Sequence, residues 1–187
     1  MLKKALVLAG AALLALPALA AETGKQHLRL VELGEAFDRA DIKTRDARVE
    51  PQDGSLVVRY GHSIRWPTVT FALPEDTRDL SAYRRIAVDV YNPTDRRFKV
   101  SCRVDNPGAD GQKNCRTENR PVGPGREATI RVRLPHPSVI AGPEVELIGM
   151  RGKPTEPELD PRNVVQILVF VSEPEVDHTL RIDSIRA

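Results

Sequence analysis

The chain has 187 residues, with 28 Lys and Arg set against 26 Asp and Glu, and a formal charge of +2. This near-balance, with acids interspersed among the arginines, excludes the clustered basic excess of a nucleic-acid-binding protein, and the length leaves no room for a (β/α)₈ barrel of about 250 residues. Aromatic residues make up only 4% while prolines number 15, which favours short strands and turns over long helices.

Residues 1–20 read as a secretory signal: Lys3 and Lys4 supply the positive start, 5–16 the apolar core, and Ala18-Leu19-Ala20 the small-residue cleavage site. The apolar run is too short for a membrane span, and no cysteine stands at the cleavage site to carry a lipid. The expected organisation is a signal over 1–20, a flexible tail over 21–27, and a single domain over 28–187, periplasmic or secreted. Loss of Lys3 and Lys4 would leave as many bases as acids.

Within the domain, 28–33 (LRLVEL) reads as a first strand and 34–46 as irregular or a short helical turn. Pro51-Gln52-Asp53-Gly54 is a turn signal, followed by a strand over 55–60. A strand over 69–73 is entered through Trp66-Pro67 and ended by Pro74, and another spans 85–91. After the Asn92-Pro93-Thr94-Asp95 turn, Phe98, Val100, Cys102 and Val104 alternate with Lys99, Ser101, Arg103 and Asp105. Period-two alternation places those last four on one solvent-side row. A polar loop then runs to Cys115, a Gly/Pro turn occupies 121–126, and 128–134 (ATIRVRL) alternates cleanly. The proline-rich stretch 135–161 reads as a long loop, of a length that is functional or disordered in a compact domain. The run 164–171 is apolar on both faces, which predicts a central strand covered on both sides, and 179–185 closes the domain. Gln166 and Asp183 are the polar exceptions in these last strands. Trp66 reads as a core plug, Tyr60 and Tyr91 likewise, and Phe71, Phe98 and Phe170 as core. The resulting fold class is an all-β sandwich.

In an oxidising compartment the default reading of Cys102 and Cys115 is a disulfide across the loop between them, with free thiols as the alternative. The motifs of nucleophilic, phosphate-handling and zinc chemistry are absent, so no catalytic residue is assigned and the chain is read as a non-enzyme. Acids Glu144, Glu146, Glu156, Glu158 and Asp160 of the long loop read as solvated. Arg103, Asp105 and Asn106 end one strand, and Arg116 lies across the polar loop. An Arg–Asp pair can grip adjacent sugar hydroxyls with guanidinium donors and carboxylate acceptors, or it can pin the loop as a salt bridge. No cofactor is implied. For a structural calcium ion the candidate carboxylates are Asp38, Asp41 and Asp183, although they form no spaced motif.

Taken in order, Trp66-Pro67-Thr68-Val69-Thr70-Phe71, Asp79-Leu80-Ser81-Ala82-Tyr83, Val88-Asp89-Val90-Tyr91-Asn92-Pro93-Thr94, Arg103-Val104-Asp105-Asn106 with Ala109-Asp110-Gly111, Pro124-Gly125, Leu134-Pro135, Gly149-Met150-Arg151-Gly152 and Leu180-Arg181-Ile182-Asp183-Ser184-Ile185-Arg186 resemble the carbohydrate-binding-module-like domain that precedes the catalytic barrel in certain β-agarases. The resemblance spans nearly all of 28–187. It implies a galactose-binding-like jelly roll and a role beside galactan degradation. Arg103, Asp105, Asn106, Arg116 and Arg151 match the polar positions that face ligand or barrel in that family. The expected partner is then a polysaccharide, bound through polar loop residues, or a separately encoded glycoside hydrolase onto which the module docks.

Overall fold

Alternating apolar residues, broken by turns at Asp53-Gly54, 93–97 and 123–125, assemble into two antiparallel sheets. The computed structural model describes residues 27–33, 40, 42–135 and 159–187. Their ten strands are β1 (Ile42–Arg45), β2 (Ala47–Gln52), β3 (Ser55–Tyr60), β4 (Thr68–Ala72), β5 (Arg85–Asn92), β6 (Phe98–Asp105), β7 (Cys115–Val122), β8 (Arg126–Arg133), β9 (Gln166–Val171) and β10 (His178–Arg186). A first sheet has the order β1-β4-β9-β6-β7 and a second the order β2-β3-β10-β5-β8. All pairings are antiparallel, and one short 3₁₀ turn lies at Glu75–Thr77. The described residues form an all-β jelly-roll sandwich.

The core lies between the sheets. From the first come Val69, Phe71, Val100, Cys102, Val104, Ile167 and Val169; from the second come Leu56, Val58, Tyr60, Ile86, Val88, Val90, Ile130, Val132, Leu180, Ile182 and Ile185. Each strand supplies every second residue, as the pleat requires. Among the described residues every fully buried side-chain nitrogen or oxygen has a hydrogen-bond partner. Tyr60 shows how: its hydroxyl donates to the Val169 carbonyl at 3.1 Å, across the core.

Several expectations change. Residues 28–33 do not form a full strand; the segment bonds at Leu28 and Leu30 to the end of β10, with one bridge from Arg29 to Arg186. Strands β1, β2 and β7 carry no clean apolar period, and all three are sheet edges. They form because the neighbouring strand's free N–H and C=O groups need partners, a requirement the side chains do not record. Pro51 sits in β2 because an edge tolerates a residue without an N–H. Strand β9 is central, as expected, but covered on one side only: Ile167, Val169 and Val171 are buried, whereas Gln166, Leu168 and Phe170 are half-buried.

The cysteines are a second correction. Cys102 and Cys115 are free thiols. Across β6 and β7, Cys102 stands opposite Glu118 and Cys115 opposite Asp105. They are thus three positions apart along the ladder, about 10 Å, beyond the reach of a disulfide. Their side chains also leave opposite faces, Cys102 into the core. Burial there pushes the Cys102 thiol up to about 12.

The predicted signal at 1–20, residues 21–26, Asp38, Asp41, Arg151 and the acids Glu144, Glu146, Glu156 and Glu158 lie outside the described residues.

Candidate functional site

Residues paired across a sheet share a face, so the registers of the first sheet define its outer surface. One row runs Arg45, Thr68, Phe170, Ser101, Asn119; the next Lys43, Thr70, Leu168, Arg103, Thr117; a third Ala72, Gln166, Asp105, Cys115. The expected row of Lys99, Ser101, Arg103 and Asp105 does occupy one face, but unevenly. Lys99 is exposed and Arg103 half-buried, while Ser101 is nearly buried and Asp105 wholly so.

Asp105 is buried because three neighbours close over it. Arg103 donates to both carboxylate oxygens, Nε to Oδ1 at 2.8 Å and Nη2 to Oδ2 at 2.9 Å, and Gln166 Nε2 donates to Oδ2 at 2.8 Å. The 106–114 loop folds back over this pair. Gly111, at a φ of 100°, lies so close that a Cβ there would stand 3.0 Å from Arg103 Nη1. Only glycine suits both that backbone and that approach. The polar exception Gln166 is thereby explained.

The other candidates separate. Asn106 is buried and pins a different segment: its amide donates to the Asp160 and Asn163 carbonyls at 2.8 and 2.5 Å, and its Oδ1 accepts from the Asp160 N–H at 2.6 Å. Arg116 stands opposite Val104, so its side chain leaves β7 on the opposite side from Arg103 and Asp105. The structure thus brings Arg103 and Asp105 together, sets Asn106 beside them facing inward, and turns Arg116 away. Asp183 carries ion-pair and hydrogen-bond partners, Arg181 at 2.6 Å and Ser55 at 2.8 Å. Among the described residues no group of three or more His, Cys, Asp and Glu is placed to hold a metal ion.

Three aromatics assigned to the core stand outside it. Trp66 is 51% exposed. It sits just before β4, its carbonyl accepting from the Thr68 hydroxyl at 2.8 Å, and the Arg65 guanidinium lies 4.8 Å over its ring. Arg65 is in turn tied to Glu173. Phe170 and Leu168 form a half-exposed apolar stripe at the centre of the first sheet's outer face, and Tyr91 lies on the outer face of the second. The sequence did hold the signal for Phe170. Alternation from Gln166 puts Leu168 and Phe170 on the same side as an amide, which marks that side as not core.

The outer face of the first sheet therefore combines an apolar stripe (Leu168, Phe170) with hydroxyls (Thr70, Thr117), a planar amide (Asn119) and a guanidinium clamped in place (Arg103). Such a surface can cover the C–H face of a ring while exchanging hydrogen bonds with groups on its rim.

No protein-family model and no curated protein sequence matches the chain. Solved structures do resemble it in fold. An exo-β-agarase superposes with a TM-score of 0.61 at 15% identity over 85% of this chain, which spans only 24% of the agarase. A family 29 carbohydrate-binding module gives 0.53 at 10% identity, covering 86% of this chain and 90% of the module. The family 11 carbohydrate-binding module from Clostridium thermocellum, in complex with a mixed-linked β-tetrasaccharide, gives 0.52 at 12% identity, covering 85% and 95%. The described chain has the carbohydrate-binding-module-like jelly-roll fold, alike in modules that stand alone and in segments of agarases.

Proposed function

We propose that this protein is a secreted or periplasmic, non-catalytic carbohydrate-binding module that recognises a galactan-like polysaccharide on the outer face of the β1-β4-β9-β6-β7 sheet. The observation that carries the reading is the half-exposed Leu168–Phe170 stripe on a central strand, flanked by Thr70 on one side and Arg103, Thr117 and Asn119 on the other. Apolar side chains in the middle of an otherwise polar outer face are out of place unless something apolar covers them, and a sugar ring presents an apolar face edged by hydroxyls. Likeness of fold to carbohydrate-binding modules supports the reading, as does the signal-like pattern of 1–20 for export. In this reading Arg103 presents its remaining Nη1 to the ligand, Asp105 holds it, and Arg151 is assigned by the family pattern alone.

The test is affinity electrophoresis through agarose, carrageenan, alginate, pectin and mannan. Retardation by a galactan, weakened about tenfold in Phe170→Ala, is the expected result; a loss near 1.4 kcal/mol corresponds to that factor. Migration unaffected by all five polymers would defeat the proposal. A second reading, docking onto a separate glycoside hydrolase, is favoured by one observation: the agarase matches contain this fold as about a quarter of a larger chain. That reading predicts co-purification with such an enzyme and no retardation by any glycan.

A further inference from the structure

The opposite sheet carries its own organised surface. On its outer face a groove of about 520 Å³ is lined by Gln52, Asp53, Ser55, Val57, Tyr91, Pro93, Thr179 and Arg181. Tyr91 and Arg181 are direct cross-strand partners on β5 and β10, and the Arg181 guanidinium lies 4.6 Å over the Tyr91 ring. Arg181 is fixed from its other edge by Asp183, Nε to Oδ1 at 2.6 Å and Nη2 to Oδ2 at 3.3 Å. The Ser55 hydroxyl holds the same Asp183 oxygen at 2.8 Å.

A β-bulge makes this possible. The β10 register against β5 slips between Ile182 and Ser184, leaving Asp183 as an extra residue. Bulges re-aim side chains, and here one frees Asp183 to serve the groove. Ser184 and Arg186 meanwhile bind Asp89 on the neighbouring strand, where Thr129 also donates. Regular alternation would have turned Asp183 or Ser184 into the core. The fold thus accommodates an irregular central strand, and with it comes a tyrosine–guanidinium–carboxylate–hydroxyl chain with little freedom left in any member.

The chemistry of the groove selects its occupant. Arg181 is already neutralised by Asp183, so the groove is not an anion trap. Its floor is apolar (Val57, Tyr91, Pro93) and its rim offers the Gln52 amide, the Thr179 hydroxyl and the Asp53 carboxylate. A neutral, polyhydroxylated ring fits such a mixture, with its C–H face on the floor and vicinal hydroxyls at the rim. We propose that the Tyr91–Arg181 groove is a second saccharide-binding site, on the face opposite the first, so that one molecule can engage two polysaccharide strands. The choice of a saccharide rests on the proposed function above, whereas the site itself rests on different residues.

Amide chemical-shift mapping of the ¹⁵N-labelled protein against an agarose-derived hexasaccharide and a mixed-linked β-glucan tetrasaccharide separates the two sites. The expected result is two clusters of saturable shifts, one on β4, β9, β6 and β7, the other on β3, β10 and the end of β5. In Tyr91→Ala the second cluster should bind about tenfold more weakly while the first is unchanged; Tyr91→Phe, which keeps the ring, should retain it. Shifts confined to the first face, or a second cluster indifferent to Tyr91→Ala, would overturn the second site and leave the first standing. Shifts confined to the Tyr91 face would uphold this site and remove the first. No saturable shift with either sugar would overturn both.

Discussion

Asp105 illustrates how a residue can look like a ligand contact and act as a support. Its carboxylate is wholly buried and accepts three hydrogen bonds, from Arg103 twice and from Gln166. Asp105→Ala should therefore cost about 3 kcal/mol in chemical denaturation, because Arg103 and Gln166 lose their acceptor in a poorly solvated place. Arg103→Ala should cost less if the 106–114 loop relaxes to hydrate the carboxylate. Binding tests are accordingly better made at Phe170, Thr117 or Asn119 than at Asp105. His178 gives a pH signature. It is nearly buried, its ring 4.3 Å from that of Phe98. Burial, together with Arg96, holds its pKa below the usual value, although Asp177 pulls the other way. The unfolded chain therefore takes up the proton more readily than the folded one. Stability should be complete above pH about 6.5 and fall as the pH drops below it, levelling off beneath the lowered folded value. Thermal melts between pH 7 and 5 check this, and in His178→Gln that part of the slope should vanish.

At the scale of elements, one side chain fastens two turns. Asn92, buried at the end of β5, donates to the carbonyls of Arg96, Val122 and Gly123 at 2.8, 3.1 and 3.0 Å, and its Oδ1 accepts from the Thr94 N–H and hydroxyl. It thereby joins the β5–β6 turn to the β7–β8 turn across the two sheets. Asn92→Ala should lower stability by about 3 kcal/mol, since several buried carbonyls lose their donor at once; a urea melt would record it. The β6–β7 ladder makes a chemical prediction as well. Dithiothreitol should leave the melting temperature unchanged, and a thiol reagent should label Cys115 in the native protein but Cys102 only after unfolding. An intact mass two protons below the reduced value would contradict the register. The strands with an apolar period, β3 to β6 and β8 to β10, were readable in the sequence to within a residue or two. The edges β1, β2 and β7 were not, because a backbone ladder forms them and their side chains record no burial. The Arg103–Asp105 row was equally legible from alternation, but its burial was not, since a loop distant from simple periodicity closes over it.

For the whole molecule, two five-stranded sheets bury one face each and leave two outer faces for function. If the first of these binds polysaccharide, saturating oligosaccharide should raise the melting temperature. At a hundred times the dissociation constant the stabilisation is about 2.7 kcal/mol, a shift that differential scanning calorimetry resolves, and Phe170→Ala should reduce it at equal ligand concentration. By itself the sequence determined the all-β class, the membership of most core positions and the turns that separate the strands. These follow from local causes: alternation fixes which face a residue takes, and Gly, Pro and Asn fix where the chain reverses. Tertiary structure alone decided which of the alternating faces is covered, and so moved Phe170, Tyr91 and Trp66 from expected core to surface. It also decided the register that separates Cys102 from Cys115 and the bulge that turns Asp183 outward. Those outcomes depend on which strands become neighbours, and strand order is set by packing between residues far apart in the chain.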